Sequence, residues 1–376
     1  MRNIFKQLHI WLSIPLGVVI TITCFTGAML IFEQEITEVV QRDYYYVAKA
    51  EGEPLSVDEI IARVEPTLEE GRKITGVTIS SDPERSYKVN VNTPKHAAIF
   101  VDQYSGEVLG EPGRVAFFKD MFRLHRWLMD ERPEDENAVF WGKVIVGTST
   151  LLMVIIILTG IVLWFPKSIK ALKNRTQIAL RKGWHRFWYD LHVVGGIYAT
   201  LLLLAMALTG LTWSFEWYSK GFYGLFGVET TKGGHGHSGD KGDKGDKGDK
   251  AGRGGGAKYL HWQDALDVVQ GECGEYKELT VSSGSITVKR DEWGNQRASD
   301  SYSFDTATGE ITEVVRYADA EYDRKVRGWV YTLHVGNWGG ILSRVLWFLA
   351  AMLGAALPLT GYYLWIKRKF FRKKSK

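Results

Sequence analysis

Four apolar runs, each long enough to cross a bilayer, limit what this chain can fold into more than any other feature. They cover approximately residues 10–32, 143–165, 191–215 and 341–366. A hydrocarbon core of about 30 Å takes about 20 helical residues to cross. Arg344 lies near the start of the last run, where its stem can carry the charge out to the headgroups. The first run outlasts a signal sequence, ends on no small-residue cleavage site and passes straight into "FEQE", so it is read as a retained helix.

Basic residues set the expected orientation. Arg2 and Lys6 precede the first run, the loop "PKSIKALKNRTQIALRKGWHR" carries many Lys and Arg and no acid, and the tail "KRKFFRKKSK" is purely basic. All three are assigned to the cytoplasm, so both termini are cytoplasmic in a multi-pass membrane protein in contact with membrane lipid; the family resemblance given below implies the bacterial inner (cytoplasmic) membrane. Segments 33–142 and 216–340 hold nearly all the acids and fall outside. The net charge of +4 is small, and nucleic acid is not expected as a partner. Two cysteines, Cys24 and Cys273, cannot build a disulfide framework or a Cys-based zinc or iron–sulfur site. No nucleophile–base pairing or nucleotide-binding loop stands out, which argues against hydrolysis.

The chain is written twice. "LHIWLS…FTGAMLIFE" from His9 reads like "LHVVGG…LTGLTWSFE" from His192. One offset of 183 residues relates His9 to His192, Thr26 to Thr209, Gly27 to Gly210 and Glu33 to Glu216. Next, "VDQYSGEV" resembles "FDTATGEI", "RLHRWL" around His125 resembles "TLHVGNW" around His334, and "LTGIVLWFPK" resembles "LTGYYLWIKR". The stretch "DERPEDEN" accounts for an interval eight residues longer after His125 than after His334. A parallel repeat of this kind predicts two halves related by a pseudo-two-fold axis along the membrane normal.

Each half carries an outer module. "SVDEIIARVEP" and "HWQDALDVVQG" have helical periodicity, while "ITGVTISS", "YKVNVNT", "AAIFVDQYSGEVLGE", "KELTVSS", "SITVKR" and "SYSFDTATGEITEV" alternate like strands. The fold class expected is an α-helical membrane protein with four core helices and two small α+β extracytoplasmic domains. The segment "GGHGHSGDKGDKGDKGDKAGRGGG" cannot bury a core and is expected to be a flexible loop; His235 and His237 in it are weighed as a stray metal site and set aside.

Four histidines then stand at two depths. His9 and His192 fall at the cytoplasmic lip, His125 and His334 at the outer one, and the repeat brings each pair face to face. Two imidazoles facing across a bundle are the axial ligand set of a six-coordinate b-type haem. A zinc site is the alternative, and it would want a carboxylate or a third histidine nearby. Interfacial anchoring is the plainer reading of any one of them. Thr26-Gly27 lies 17–18 residues beyond His9, about 25–27 Å along a helix, hence near the outer depth. Thr159-Gly160 and Thr360-Gly361 fall near the inner depth. Each "TG" is read either as clearance for a flat macrocycle or as ordinary small-residue helix packing. Arg123, Arg126 and Arg186 are propionate candidates by position. His185, two turns before His192, is a second-rank inner ligand or propionate partner. His96 and His261 are read as surface residues.

"FKQLHIWLS", "FTGAMLIFEQEI", "RLHRWL", "WHRFWYDLHVVGG" and "LTGLTWSFE" resemble the PepSY-associated transmembrane helix family of bacterial inner-membrane proteins, over nearly the whole chain except the Gly/Asp/Lys insert. The resemblance implies that the outer modules are PepSY-like and that the protein is like a siderophore reductase: two b-type haems as cofactors, His9, His125, His192 and His334 as cofactor-binding axial ligands of the haem iron, and a ferric siderophore or ferric chelate as partner. Electrons would come from quinol or a separate cytoplasmic donor. The organisation expected is helix 1 (1–32), a first PepSY-like domain (33–120), outer loop and helix 2 (121–166), a basic loop (167–188), helix 3 (189–216), the insert (217–257), a second PepSY-like domain (258–325), outer loop and helix 4 (326–366) and the tail (367–376). The rival readings are a haem-free PepSY protein that binds or regulates a periplasmic peptidase, and a membrane sensor or assembly factor.

Overall fold

The computed structural model describes residues 2–371 apart from 95–96, 136–137, 167, 170–171, 173–174, 180–181, 230–258, 260 and 291–293. His96, His235, His237 and the Gly/Asp/Lys insert lie outside the described residues. The chain divides into two compact units: Met1–Glu33, Val115–Thr231 and Trp329–Lys376 form one, Gln34–Arg114 and Lys232–Gly328 the other.

The first unit is helical. Its four spans, Arg2–Leu30, Trp141–Trp164, Trp184–Trp213 and Gly340–Phe370, are long and apolar enough to cross a membrane. A helix satisfies its own backbone, which is what lipid demands of a spanning segment. The first, third and fourth spans run past the apolar stretches that mark them, each at its basic end. Hydropathy measures hydrocarbon thickness, whereas the hydrogen-bond ladder continues into the headgroup region. The first span packs on the second and fourth, and the third packs on the second and fourth, so the four stand in a ring in chain order. Small residues set the closest approach: a Cβ on Gly17 would collide with the Tyr362 ring, whose hydroxyl donates to the Ile14 carbonyl at 2.6 Å. Between the two ends of the ring lies an apolar layer around Ala199, Leu203 and Ala350, flanked by Met153, Ile157, Leu353 and Leu357.

Two shorter helices complete the bundle. Ala116–Trp127 precedes the second span and Tyr322–Val335 precedes the fourth. Both are too polar to register as apolar runs, and they carry His125 and His334. The second stops at Gly336, in the left-handed conformation at φ 75°, as helix ends commonly do. It is tied to the fourth span by Trp347, whose Nε1 donates to the Leu333 carbonyl at 2.7 Å.

The second unit is built on one eight-stranded antiparallel sheet. Its strands are β1 (Ile74–Ser80), β2 (Tyr87–Val91), β3 (Ala98–Val101), β4 (Val108–Gly110), β5 (Glu278–Ser282), β6 (Ser285–Lys289), β7 (Asp300–Phe304) and β8 (Ile311–Val315). Their order is β4-β3-β2-β1-β5-β6-β7-β8. Each half supplies a four-stranded meander, and the two meet at β1 and β5. There Thr78 pairs with Thr280, their hydroxyls 2.8 Å apart. A Cβ on Gly76 would come 2.7 Å from the Val281 carbonyl oxygen, so the join depends on that glycine. Alternate residues, among them Val77, Val89, Leu279, Val281, Ile286 and Val288, face one continuous core with helices Val57–Val64 and Trp262–Glu272. The first of these helices starts on a capping box in which the Ser56 and Glu59 side chains and backbones bond reciprocally. Glu38, from helix Glu33–Val40, accepts from the Arg85 guanidinium at 2.6 and 3.2 Å. Burial works against its charge, but Arg85 and the Gln34 amide outweigh it and hold the carboxyl below its usual pKa.

Candidate functional site

The first and third spans stand diagonally across the ring, so a residue on each can face its counterpart through the interior. His9 and His192 do so, with ring centres 6.4 Å apart and planes at 86°. The third span forms one π-helical turn, Leu191–Gly195, at His192; such turns are frequent at functional sites. His125 and His334 form a second pair from the two shorter helices, with ring centres 6.2 Å apart and planes at 52°. All four rings are partly buried. His185 takes no part; its ring lies 6.1 Å from that of Tyr363.

Every one of the four imidazoles is held through Nδ1 by a backbone carbonyl of a spanning helix. His9 Nδ1 lies 3.1 Å from the Ile156 carbonyl and 3.0 Å from Thr159 Oγ1. His192 Nδ1 repeats this with the Leu357 carbonyl at 3.1 Å and Thr360 Oγ1 at 2.9 Å. His334 Nδ1 meets the Met206 carbonyl at 3.0 Å and Thr209 Oγ1 at 3.2 Å. His125 Nδ1 meets the Thr23 carbonyl at 2.8 Å. A carbonyl only accepts, so Nδ1 carries the proton and Nε2 keeps its lone pair. The threonine hydroxyls donate back to carbonyls three or four residues earlier in their own helices, which frees their lone pairs to accept from the imidazoles. Among the described residues Nε2 of none of the four has a hydrogen-bond partner.

The glycine after each threonine makes room for a ring. A Cβ on Gly27 would lie 2.8 Å from His125 Cε1, and one on Gly210 would lie 2.9 Å from His334 Cε1. At Gly361 and Gly160 the distances to His192 and His9 Cε1 are 3.3 and 3.5 Å. The "TG" pairs therefore receive the edges of the imidazoles. Sequence reasoning placed them at the right depths and left the clearance open between a flat macrocycle and small-residue helix packing; it did not foresee the imidazole edges, and it missed the threonines as acceptors. The signal for both was present in the fixed order of Thr before Gly.

The donor set fits a group held between two imidazoles. Two axial imidazoles on one iron, each with an iron–nitrogen bond of about 2 Å and about 1.1 Å from nitrogen to ring centre, would put the ring centres about 6.2 Å apart. Both pairs have this spacing, neutral Nε2 atoms and anchored Nδ1 protons. Among the described residues no three His, Cys, Asp or Glu gather as a metal site, so neither pair has the third ligand that zinc would want. Of the positional candidates for propionates, Arg123 donates to the Met129 carbonyl at 3.1 Å and approaches Glu131 at 3.4 Å. Arg186 bonds Asp190 at 2.8 Å. Arg126 lies over the Phe122 and Trp127 rings, within electrostatic reach of His125 and His334.

A sequence model of the family described as the PepSY-associated TM region matches residues 6–368. No curated protein matches the chain.

Proposed function

The chain belongs to the family of PepSY-associated TM regions, and from that premise we propose that it is a di-haem electron conduit of the bacterial inner membrane that reduces a ferric siderophore or similar ferric chelate in the periplasm. The observation that carries this reading is the pair of pairs: two couples of imidazoles with ring centres 6.4 and 6.2 Å apart, each ring held through Nδ1 by a backbone carbonyl so that Nε2 keeps its lone pair.

His9 and His192 would hold one b-type haem, His125 and His334 the other. When bound, these haems supply one-electron chemistry, their iron alternating between ferric and ferrous states. The residues of this chain position and insulate them. The carbonyls of Ile156, Leu357, Met206 and Thr23 fix the tautomer and the direction of each ring, and strengthen each Nε2 as a donor. Gly27, Gly160, Gly210 and Gly361 let each ring sit against its anchoring helix. First and third spans do double duty: each offers a histidine near one end and a carbonyl anchor for another histidine about 21 Å further along. The layer of Ala199, Leu203, Met153 and Leu353 between the two depths excludes water from the path.

The electron donor is quinol or a separate cytoplasmic protein, with both termini on that side, as the basic loops indicate. The pair-halves and the two meanders arise from one duplicated unit. A one-electron reduction of the chelated iron weakens its hold on hard oxygen ligands, so reduction is a release step.

The test uses the full chain in lipid nanodiscs, reduced with a stoichiometric amount of dithionite. Adding a ferric trihydroxamate together with a ferrous-selective chromophore should return the haem bands to their oxidised positions and yield one trapped ferrous ion per electron. Haem bands that stay reduced in the presence of the chelate would refute the function.

A further inference from the structure

Three residues past the end of the third span at Trp213, the chain enters a second helix, Glu216–Gly224. Phe215 makes the break between them, with extended backbone at φ −128° and ψ 132°. The far end is equally defined. The Val228 N–H donates to the Tyr223 carbonyl at 3.1 Å and the Gly227 N–H to the Gly224 carbonyl at 3.0 Å, with Gly227 left-handed at φ 71°. These are the paired bonds that close a helix over a glycine.

One side of this helix is fixed to the bundle. Ser219, Tyr223 and, just beyond, Val228 are buried. The Tyr218 hydroxyl donates to the Leu208 carbonyl of the third span at 3.0 Å. The Phe215 ring lies so near the second span that a Cβ on Gly147 would come 2.8 Å from it. Trp213, where the span ends, has its ring centre 5.0 Å from that of His334. The helix therefore sits at the end of the bundle that holds the second histidine pair.

The other side is apolar and uncovered. Trp217 and Leu225 are 63 % and 83 % exposed, and Phe226 and Gly221 are exposed with them. Positions 217, 221 and 225 recur at the spacing of a single helix face. The rings are ordered among themselves: Phe215 stacks with Trp217 at 6.0 Å and 24°, Tyr218 with Phe222 at 5.9 Å and 23°. The charges on this helix, Glu216 and Lys220, pair with each other at 2.7 Å. Duplication does not account for the apolar side, because the 183-residue offset takes Trp217, Leu225 and Phe226 back to Gln34, Arg42 and Asp43.

We propose that Glu216–Gly224 and the turn after it form an interfacial helix, whose Trp217, Leu225 and Phe226 side chains are seated in the boundary between headgroups and acyl chains of the leaflet nearest His125 and His334. Continuity chooses lipid as the occupant. The helix starts where an apolar span ends, and Trp141 and Ile145 on the neighbouring second span, whose Gly147 meets Phe215, are exposed as well. Tryptophan and tyrosine favour this boundary, where a ring can be apolar on its faces and wet at its tip. A short helix with one apolar side and a self-neutralised ion pair lies flat there without needing an anionic lipid. This inference is independent of what the histidines bind.

The test uses the full chain in phosphatidylcholine nanodiscs, with Cys24 and Cys273 replaced by alanine and one nitroxide attached at Leu225→Cys. Leu201→Cys on the third span serves as the lipid reference and Ala307→Cys, between β7 and β8, as the water reference; both residues are exposed. The Leu225 label should collide with oxygen in preference to a water-soluble nickel chelate, as at Leu201 and opposite to Ala307. A second measurement leaves the cysteines in place: brominated phosphatidylcholine should quench more tryptophan emission in the wild type than in Trp217→Phe. A Leu225 label that behaves like Ala307, or equal quenched emission in the two proteins, would overturn the proposal. A label shielded from both reagents would overturn it in favour of a protein contact, such as a second copy of the chain.

Discussion

If the chain holds the two haems proposed above, adding one methyl group at each of the four anchoring glycines should separate them, because the structure grades the room behind the histidine rings. Carbon atoms prefer about 3.5–4.0 Å. A Cβ at Gly27 would sit 2.8 Å from His125 Cε1 and 3.0 Å from Nδ1, and one at Gly210 would sit 2.9 Å from His334 Cε1. Neither ring can step back freely, since Nδ1 is bonded to the Thr23 carbonyl at 2.8 Å in one case and to the Met206 carbonyl at 3.0 Å in the other. Overpacking of this size costs about 1–3 kcal/mol, or about 5- to 150-fold in ligand occupancy. At Gly160 the nearest ring atom is 3.5 Å away, an ordinary contact, and at Gly361 it is 3.3 Å away. Gly27→Ala and Gly210→Ala should therefore lose most of the haem held by His125 and His334 and keep the other. Gly160→Ala should keep both, and Gly361→Ala should fall between. Haem per polypeptide, with reduced-minus-oxidised spectra, reads the outcome. If Gly160→Ala loses as much as Gly27→Ala, or Gly27→Ala keeps two haems with unshifted bands, the reasoning about ring clearance is wrong.

Thr360→Val removes one of two acceptors at His192 Nδ1 and leaves the Leu357 carbonyl; the expected cost is about 0.5–1.5 kcal/mol, with a rise in the first pair's midpoint potential because the imidazole becomes a weaker donor. Arg85→Met strands Glu38, whose side chain is only 11 % exposed, and should destabilise the sheet unit by about 2 kcal/mol, between the values of exposed and fully buried pairs. Glu38 has a folded pKa below its usual 4.5, so the contribution of this pair is complete above that pH. It is lost as pH falls through the lower folded value, and the difference between wild type and Arg85→Met in denaturant melts should shrink in that acid window. Gly76→Val drives a side chain into the Val281 carbonyl and should open the β1–β5 join, seen as faster amide exchange at Thr78 and Thr280; unchanged exchange there would contradict the geometry.

Much of the bundle was legible because membrane spanning and duplication both leave long-range marks. The 183-residue offset carries His9 onto His192, and the structure gives these two residues matching partners; it also carries Thr26 onto Thr209, where Thr209 bonds His334 while His125 is held by the Thr23 carbonyl. Helices Ala116–Trp127 and Tyr322–Val335 were not legible, since a polar helix of 12 or 14 residues leaves no apolar run. The roles within "TG" were also hidden. Small-residue periodicity says that something comes close, not what, and the something proved to be an imidazole edge. Strand alternation marked six runs that contain the eight strands, two of them holding a strand pair each, yet the pairing of β1 with β5 is set by register between residues some 200 apart. Thr78 and Thr280 look like any outward-facing threonines until they meet.

The most direct measurement of the central claim is the haem count of the purified full-length protein, expressed with haem in excess, beside the same count for His125→Ala. Two b-type haems per polypeptide, a Soret band that moves on reduction, and loss of about half the haem in His125→Ala are expected from two independent bis-imidazole sites. A colourless wild-type protein, or a haem content that His125→Ala leaves unchanged, would contradict it.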